Sequence, residues 1–169
     1  MSEMTHNLNW GAIELFAMDV DGVLTDGSLY VSSDGSETKR FSIIDGLGLV
    51  MLREAGVKIA WISGRGSEAT DRRAEELKVD FVIQGRKDKA IALSSLLEEL
   101  GLKPEQAAYM GDDTIDTEAI ELAAIGVAVP EAQPEPLASA NYTTQRVGGN
   151  GAVREVCNHI LAARSQLAK

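Results

Sequence analysis

Short apolar runs with strand character recur near residues 14–20, 57–62, 80–83, 106–110 and 125–129, and the stretches between them carry apolar residues at helical spacing. This alternation is that of βαβ units, in which a parallel sheet is buried on both faces by its crossover helices. The expected fold is therefore α/β, a doubly wound, Rossmann-like parallel sheet. Helices are expected over 46–55, 67–77, 87–100, 114–124 and 152–167. In the third of these, Leu93, Leu96, Leu97 and Leu100 share one face, Gly101 closes the helix and Pro104 bars its continuation. One segment breaks the rhythm. Around Ser33-Asp34-Gly35-Ser36, the runs SLYVS and ETKRFS alternate apolar and polar residues, which predicts a β-hairpin inserted at 27–42 directly after the first strand.

A chain of 169 residues with 44% hydrophobic content can bury one core, so 1–169 is expected to form a single domain, the hairpin being too small to be a second one. Residues 1–12 read as a loosely ordered arm, pinned if anywhere by Trp10, and 146–169 as a Gly-rich tail followed by the last helix, with His159 on its surface. His6 lies in the arm, away from any expected site. Pro130, Pro134 and Pro136 mark a rigid connection near the end. Acidic residues outnumber basic ones 26 to 16, giving a net charge of −10 with no basic cluster. Nucleic acid and anionic membrane surfaces are excluded as partners on that ground. Cys157 is the sole cysteine, so no internal disulfide forms, and neither a signal-peptide core nor a bilayer-length apolar run is present. The expected location is the cytoplasm.

In an open parallel sheet, ligands bind beyond the carboxyl ends of the strands. The first strand there delivers Asp19 and Asp21, followed by Gly22. The strand KIAWIS delivers Ser63, Gly64 and Arg65, and AAYM delivers Gly111, Asp112 and Asp113 with Asp116 close behind. Lys89 opens the helix after the third strand. Taken singly these residues are ordinary: Asp and Gly form turns, Ser63 could cap a helix, and an isolated lysine is usually solvated. Together they supply acids for a divalent cation, a hydroxyl, a lysine and backbone N–H groups for phosphate oxygens, and a further acid for proton transfer. That set suits phosphoryl transfer.

The same residues resemble the haloacid dehalogenase superfamily, whose phosphatases carry D-x-D-G at the first strand end, a Ser/Thr strand end, a lysine and a GDDxxD loop. Here these stand as DVDGVLT from Asp19, ISGR from Ile62, Lys89 within QGRKDK, and GDDTID from Gly111. Over about residues 14–160 the chain is also similar to one branch of that superfamily. The segments DGVLTDG, KRFSIIDGLGL, SGR, QGRKDK and GGNGAVREV match the phosphatases of 3-deoxy-D-manno-octulosonate 8-phosphate, which serve lipopolysaccharide sugar biosynthesis. The resemblance implies Asp19 as nucleophile and Asp21 as general acid and base. It implies Mg²⁺ held by Asp19, the Asp21 backbone carbonyl and Asp112, with Asp113 and Asp116 supporting. Ser63, Gly64 and Lys89 would bind the phosphate, and Arg65, Arg154, Gly148 and Gly149 the sugar acid. Such relatives lack a cap and form homotetramers, in which a neighbour's Gly-rich tail reaches over the site.

Three rivals stand beside this expectation. A nonulosonate 9-phosphate or another sugar phosphate could be the substrate; Glu is expected in the nonulosonate enzymes where Arg65 follows Ser63-Gly64, so Arg65 favours the octulosonate. A catalytically lapsed oligomerisation module would be expected to lack some of these side chains, and all are present. A phosphorelay receiver domain needs an acceptor aspartate at a later, central strand end, where this chain has Ser63.

Overall fold

The computed structural model describes residues 8–167. All four residues of strand β1 (Leu15–Met18) are buried, because β1 is central to the sheet and covered on both faces. It pairs in parallel with β4 (Lys58–Ile62) on one side and β6 (Ala107–Gly111) on the other. Outside these lie β5 (Phe81–Ile83), β7 (Ile125–Ala128) and the two-residue β8 (Tyr142–Thr143), giving the order β5-β4-β1-β6-β7-β8. The chain leaves β1 toward β4 and β5, then crosses back to β6. The connections thus diverge at β1, where a crevice opens beyond the strand ends.

The two-residue period of a strand sorts the side chains onto the two faces. Phe16 and Met18 join Ile59, Trp61 and Met110 in a core with Leu49 and Leu52 of α1 (Ile43–Glu54) and Val153, Val156 and Ile160 of α6 (Ala152–Leu167). Leu15 and Ala17 face the opposite core, with Leu93, Leu96 and Leu97 of α3 (Lys89–Leu100) and Ala119 and Ile120 of α4 (Thr117–Leu122). The helix α2 (Glu68–Leu77) lies between β4 and β5 in the chain. No helix among the described residues is long and apolar enough to cross a membrane.

Several boundaries differ from the sequence expectation, each for a local reason. The helix α1 begins three residues early, because Ser42 caps it by accepting the Asp45 N–H at 3.3 Å. The expected helix over 114–124 is a 3₁₀ turn, Thr114–Asp116, followed by α4, since the Asp116 side chain folds back to accept the N–H groups of Asp112 and Asp113 just before the turn. The proline-marked connection contains a short helix, α5 (Pro134–Ser139), opened by a proline at its first position. The strand β8 was too short to register as a periodic run.

The hairpin pairs only Tyr30–Val31 (β2) with Glu37–Thr38 (β3), a far shorter ladder than the 27–42 alternation suggests. Nothing covers the outer residues of β2 in the chain, and Tyr30 and Val31 are exposed. The expectation of a loose arm through residue 12 fails for its last part. Trp10–Ala12 form a 3₁₀ turn, and Trp10 is buried, edge-on to Tyr142 and stacked on His159. His159 is correspondingly half-buried, its Nε2 3.0 Å from the Tyr142 hydroxyl, and does not lie on the open surface. Residues 1–7, with His6, lie outside the described residues.

Asp45 joins the two helices of one face. Fully buried on α1, its carboxylate accepts the N–H of Gly151 at 3.1 Å and of Arg154 at 2.8 Å, capping the start of α6 from another element. Closeness here requires Gly48, where a Cβ would meet Arg154 Cδ at 2.8 Å and Cys157 Cβ at 3.2 Å. Asp45→Ala leaves two buried donors without a partner. It is expected to cost about 3 kcal/mol and to lower the thermal midpoint by roughly 6–12 °C, with Asp45→Asn losing less; calorimetry on both variants measures this.

Candidate active site

Three strand ends meet at the crevice. Asp19 follows β1, Ser63 follows β4, and Asp112 follows β6, while Lys89 reaches in from the first position of α3. Together with Asp21, Gly64, Arg65, Asp113 and Ile115, the residues Asp19, Ser63 and Asp112 line a cavity of about 160 Å³. The Asp19 N–H donates to Met110 O at 2.9 Å, so the residue continues the line of the sheet, and its Oδ1 accepts the Val20 N–H at 2.6 Å. The next turn is tight. The N–H groups of Val23, Leu24 and Thr25 all donate to Val20 O, and the buried Thr25 hydroxyl accepts those of Gly22 and Gly27. Gly22 sits at φ +90°, and any side chain there would run into the Asp112 carboxylate.

The charges are arranged around one buried cation. Lys89 Nζ lies 2.7 Å from Asp19 Oδ2 and 2.7 Å from Asp116 Oδ1, and its side chain is fully buried. Asp116 is equally buried. Its Oδ1 also accepts the Tyr109 hydroxyl at 2.7 Å, and its Oδ2 accepts the N–H groups of Asp112 and Asp113 at 3.2 Å each. Burial works against the charge on Lys89, but the two carboxylates outweigh it and hold its pKa above the ordinary 10.5. Tyr109 is kept a neutral donor, first by burial and then by Asp116. Burial and the charge of Asp116 push Asp19 up to about 7, against the pull of Lys89. Asp112 is pushed up to about 8 by burial and then by Asp19 and Asp116.

The acids exceed the cations available to them, and the mismatch is localised. Oxygens of Asp19, Asp112 and Asp116 lie within 4.8 Å of one another, and Asp112 Oδ1 is buried with no hydrogen-bond partner. A buried carboxylate oxygen without a donor is costly unless a cation meets it. The cluster therefore fits a hard divalent ion.

Ser63 is buried, its Oγ accepting the Arg65 N–H at 3.2 Å while its own proton remains available to donate. Arg65 stands half-exposed at the rim and pairs with Glu37 of the hairpin at 2.9 Å. Asp113, exposed, accepts the Thr114 N–H and caps the turn. Three residues expected to touch substrate are elsewhere in the chain. Arg154 donates to Asn158 and lines a separate depression with Arg146 and Ile44. Gly148 and Gly149 pack on the back of the Gly22–Asp26 turn, with Gly149 N–H donating to Val23 O at 2.9 Å. A Cβ at either position would strike that turn's backbone. The double glycine in this chain is thus used for close packing behind the Asp19 turn.

Sequence reasoning missed Lys39. It follows β3, its side chain is fully buried, and its Nζ lies 2.7 Å from Asp21 Oδ1. The signal was present in the hairpin's alternation, since Glu37, Lys39 and Phe41 share one side and Phe41 stacks on Trp61 of β4. Tyr109 was also missed, because within the apolar run AAYM it reads as core.

With this geometry in view, the relatives are informative. The model of haloacid dehalogenase-like hydrolases matches residues 79–156. The 3-deoxy-D-manno-octulosonate 8-phosphate phosphatase KdsC of Escherichia coli K12 is 41% identical over 155 residues, 92% of this chain and 82% of that protein. The phosphatase of the same name from Moraxella catarrhalis, crystallised with magnesium, phosphate and KDO, superposes with a TM-score of 0.93 at 45% identity over 99% of this chain and 95% of that one. The cobalt-bound enzyme of Haemophilus influenzae gives 0.89 at 35% identity, covering 93% and 92%. The strand ends, the acidic loop and the lysine thus sit in a fold shared along the whole described length, and the chain belongs to the 3-deoxy-D-manno-octulosonate 8-phosphate phosphatase family of the haloacid dehalogenase superfamily.

Proposed function

We infer that this chain is a Mg²⁺-dependent phosphatase that hydrolyses 3-deoxy-D-manno-octulosonate 8-phosphate by way of an aspartyl phosphate. One observation carries the reading: Asp19, Asp21, Ser63 and Asp112 line a single cavity with Lys89 behind them, in a chain 45% identical to a phosphatase crystallised with magnesium, phosphate and KDO. Asp19 attacks phosphorus, an Asp19 oxygen–phosphorus bond forms, and the bond from phosphorus to the sugar oxygen breaks. Asp21 gives its proton to that departing oxygen. It then takes a proton from the water that attacks the phosphoenzyme, which releases phosphate and restores the Asp19 carboxylate. Lys89, the Ser63 hydroxyl and the Gly64 N–H hold the transferring oxygens. Arg65 at the rim would pair with the sugar-acid carboxylate.

Asp19 and Asp112 would hold Mg²⁺ with the Asp21 backbone carbonyl. Asp116 already satisfies both of its oxygens within the chain, so it serves with Asp113 in positioning the loop. When bound, the ion supplies the positive charge that lets an anionic nucleophile approach an anionic ester. A homotetramer belongs to the same reading. It is supported by the exposed apolar side chains Tyr30 and Val31 on the hairpin and Ile43, Ile44 and Leu47 on α1. In such an assembly Arg154, which lines a depression apart from its own chain's cavity, is the tail residue that would serve a neighbour's cavity.

Three results are expected. Asp19→Asn abolishes phosphate release, while Asp21→Asn lowers it on the order of 10²- to 10⁴-fold; a phosphate assay on the octulosonate ester measures both, and an active Asp19→Asn ends this reading. Sedimentation analysis gives a tetramer, and Val31→Asp shifts it toward smaller species. The third concerns pH. Asp19 and Asp112 have pKa values near 7 and 8 in the fold against an ordinary 3.8, so below about pH 4 they are protonated in both folded and unfolded chains. As pH rises from about 4 to 8, the unfolded chain ionises them first, and the metal-free protein loses stability across that window. Mg²⁺ competes with those protons. It is expected to raise the thermal midpoint by roughly 5 °C or more at pH 8 and by much less at pH 5, in scans with and without chelator.

A further inference from the structure

The proposed chemistry leaves one buried charge unused. Lys39 lies in the return limb of the hairpin, and its side chain is wholly removed from solvent. Its ammonium is 2.7 Å from Asp21 Oδ1, 3.3 Å from Thr70 Oγ1 and 3.8 Å from Glu37 Oε1. Glu37 is itself tied to the loop between β4 and α2, accepting the Ser67 hydroxyl at 2.7 Å and the Arg65 guanidinium at 2.9 Å. Removing an ammonium from water is expensive and is offset only by close, well-placed acceptors. An ordinary hairpin staple could keep such a group at the surface, where it would lose nothing. Here three elements surround it, and the nearest carboxylate, more than 1 Å closer than that of Glu37, is that of Asp21, which lines the cavity. Among the described residues Asp21 Oδ2 has no hydrogen-bond partner, whereas Oδ1 is held by Lys39.

We propose that Lys39 is a positioning residue for proton transfer: by fixing Asp21 Oδ1, it presents Oδ2 to the sugar oxygen and then to the attacking water. This rests on the phosphatase reading above and gives the hairpin a part in catalysis within its own subunit. The balance of the steps is unchanged. The proton carried by Asp21 still goes to the departing oxygen and returns from water, and Lys39 neither gains nor loses one. Without the ammonium the Asp21 side chain can rotate away, and misplacement of about 1 Å is enough to cost on the order of 10²-fold.

The experiment compares leaving groups in Lys39→Met. An alkyl phosphate such as the octulosonate ester needs a proton for its departing oxygen, and a p-nitrophenyl ester does not. Turnover of the alkyl ester is expected to fall roughly 10- to 100-fold. In rapid mixing with p-nitrophenyl phosphate, the first turnover should stay within about 3-fold of the parent, followed by slow phosphoenzyme hydrolysis, so that a nitrophenolate burst appears. Lys39→Arg should recover most of the alkyl-ester rate. Thr70→Val, a gentler change for use if the Met variant does not fold, should give the same split at a few-fold amplitude. Equal loss of burst and turnover, or undiminished alkyl-ester turnover in a folded Lys39→Met, overturns the role, as does an unchanged Thr70→Val where Lys39→Met does not fold. A parent that forms no phosphoenzyme instead removes the underlying reading, so the two failures are separable.

Discussion

The ammonium of Lys89, clasped between Asp19 and Asp116, holds the active end of this molecule together. It joins the end of the central strand to the acidic loop after β6 and to the start of α3, three segments that would otherwise repel or drift. Removing either partner would leave a buried charge uncompensated, which is far more damaging than never having buried the pair. The same contact sets a cation beside Asp19 at the mouth of the cavity. Structure and chemistry thus draw on one interaction, and the surplus of negative charge that remains, centred on Asp112, is what a divalent ion can neutralise.

Around that contact the sheet topology does the placing. Because connections run both ways from β1, the ends of β1, β4 and β6 lie side by side and line one cavity. The loops are then tightened individually: Val20 O and the Thr25 hydroxyl gather the turn after Asp19, and Asp116 gathers the turn after Gly111. Gly148 and Gly149 back the first of these turns from behind. The cavity is small, at about 160 Å³, which suits a phosphoryl group and leaves most of a sugar acid outside it. Arg65 stands at its rim, paired with Glu37 of the hairpin.

The hairpin is the one departure from a plain doubly wound fold, and it divides its two limbs between two tasks. The outgoing limb shows Tyr30 and Val31 to the exterior. The returning limb turns Glu37, Lys39 and Phe41 inward, toward Arg65, Asp21 and Trp61 respectively. A segment too short to be a cap therefore still reaches Asp21 and Arg65 on the cavity wall.

Much of this is legible in the amino-acid sequence. The two-residue and 3.6-residue periods disclosed the α/β class and most elements, because burial on both faces of a parallel sheet forces that pattern. The acids, Ser63 and Lys89 were legible because each ends a strand or opens a helix at the side where this topology gathers ligands. Periodicity could not disclose β8, α5 or the short ladder of the hairpin, since a two-residue strand has no period. Nor could it separate Asp116, whose oxygens are consumed inside the chain, from Asp112, whose Oδ1 is not. Lys39 and Tyr109 became visible only when the hairpin was folded against Asp21 and α2 and the interior of β6 was seen to hold a hydroxyl against Asp116. The chain's own pattern determined which chemical groups stand at the strand ends. Partnership between charges depends on distances across elements remote in sequence, and only the packed fold sets those.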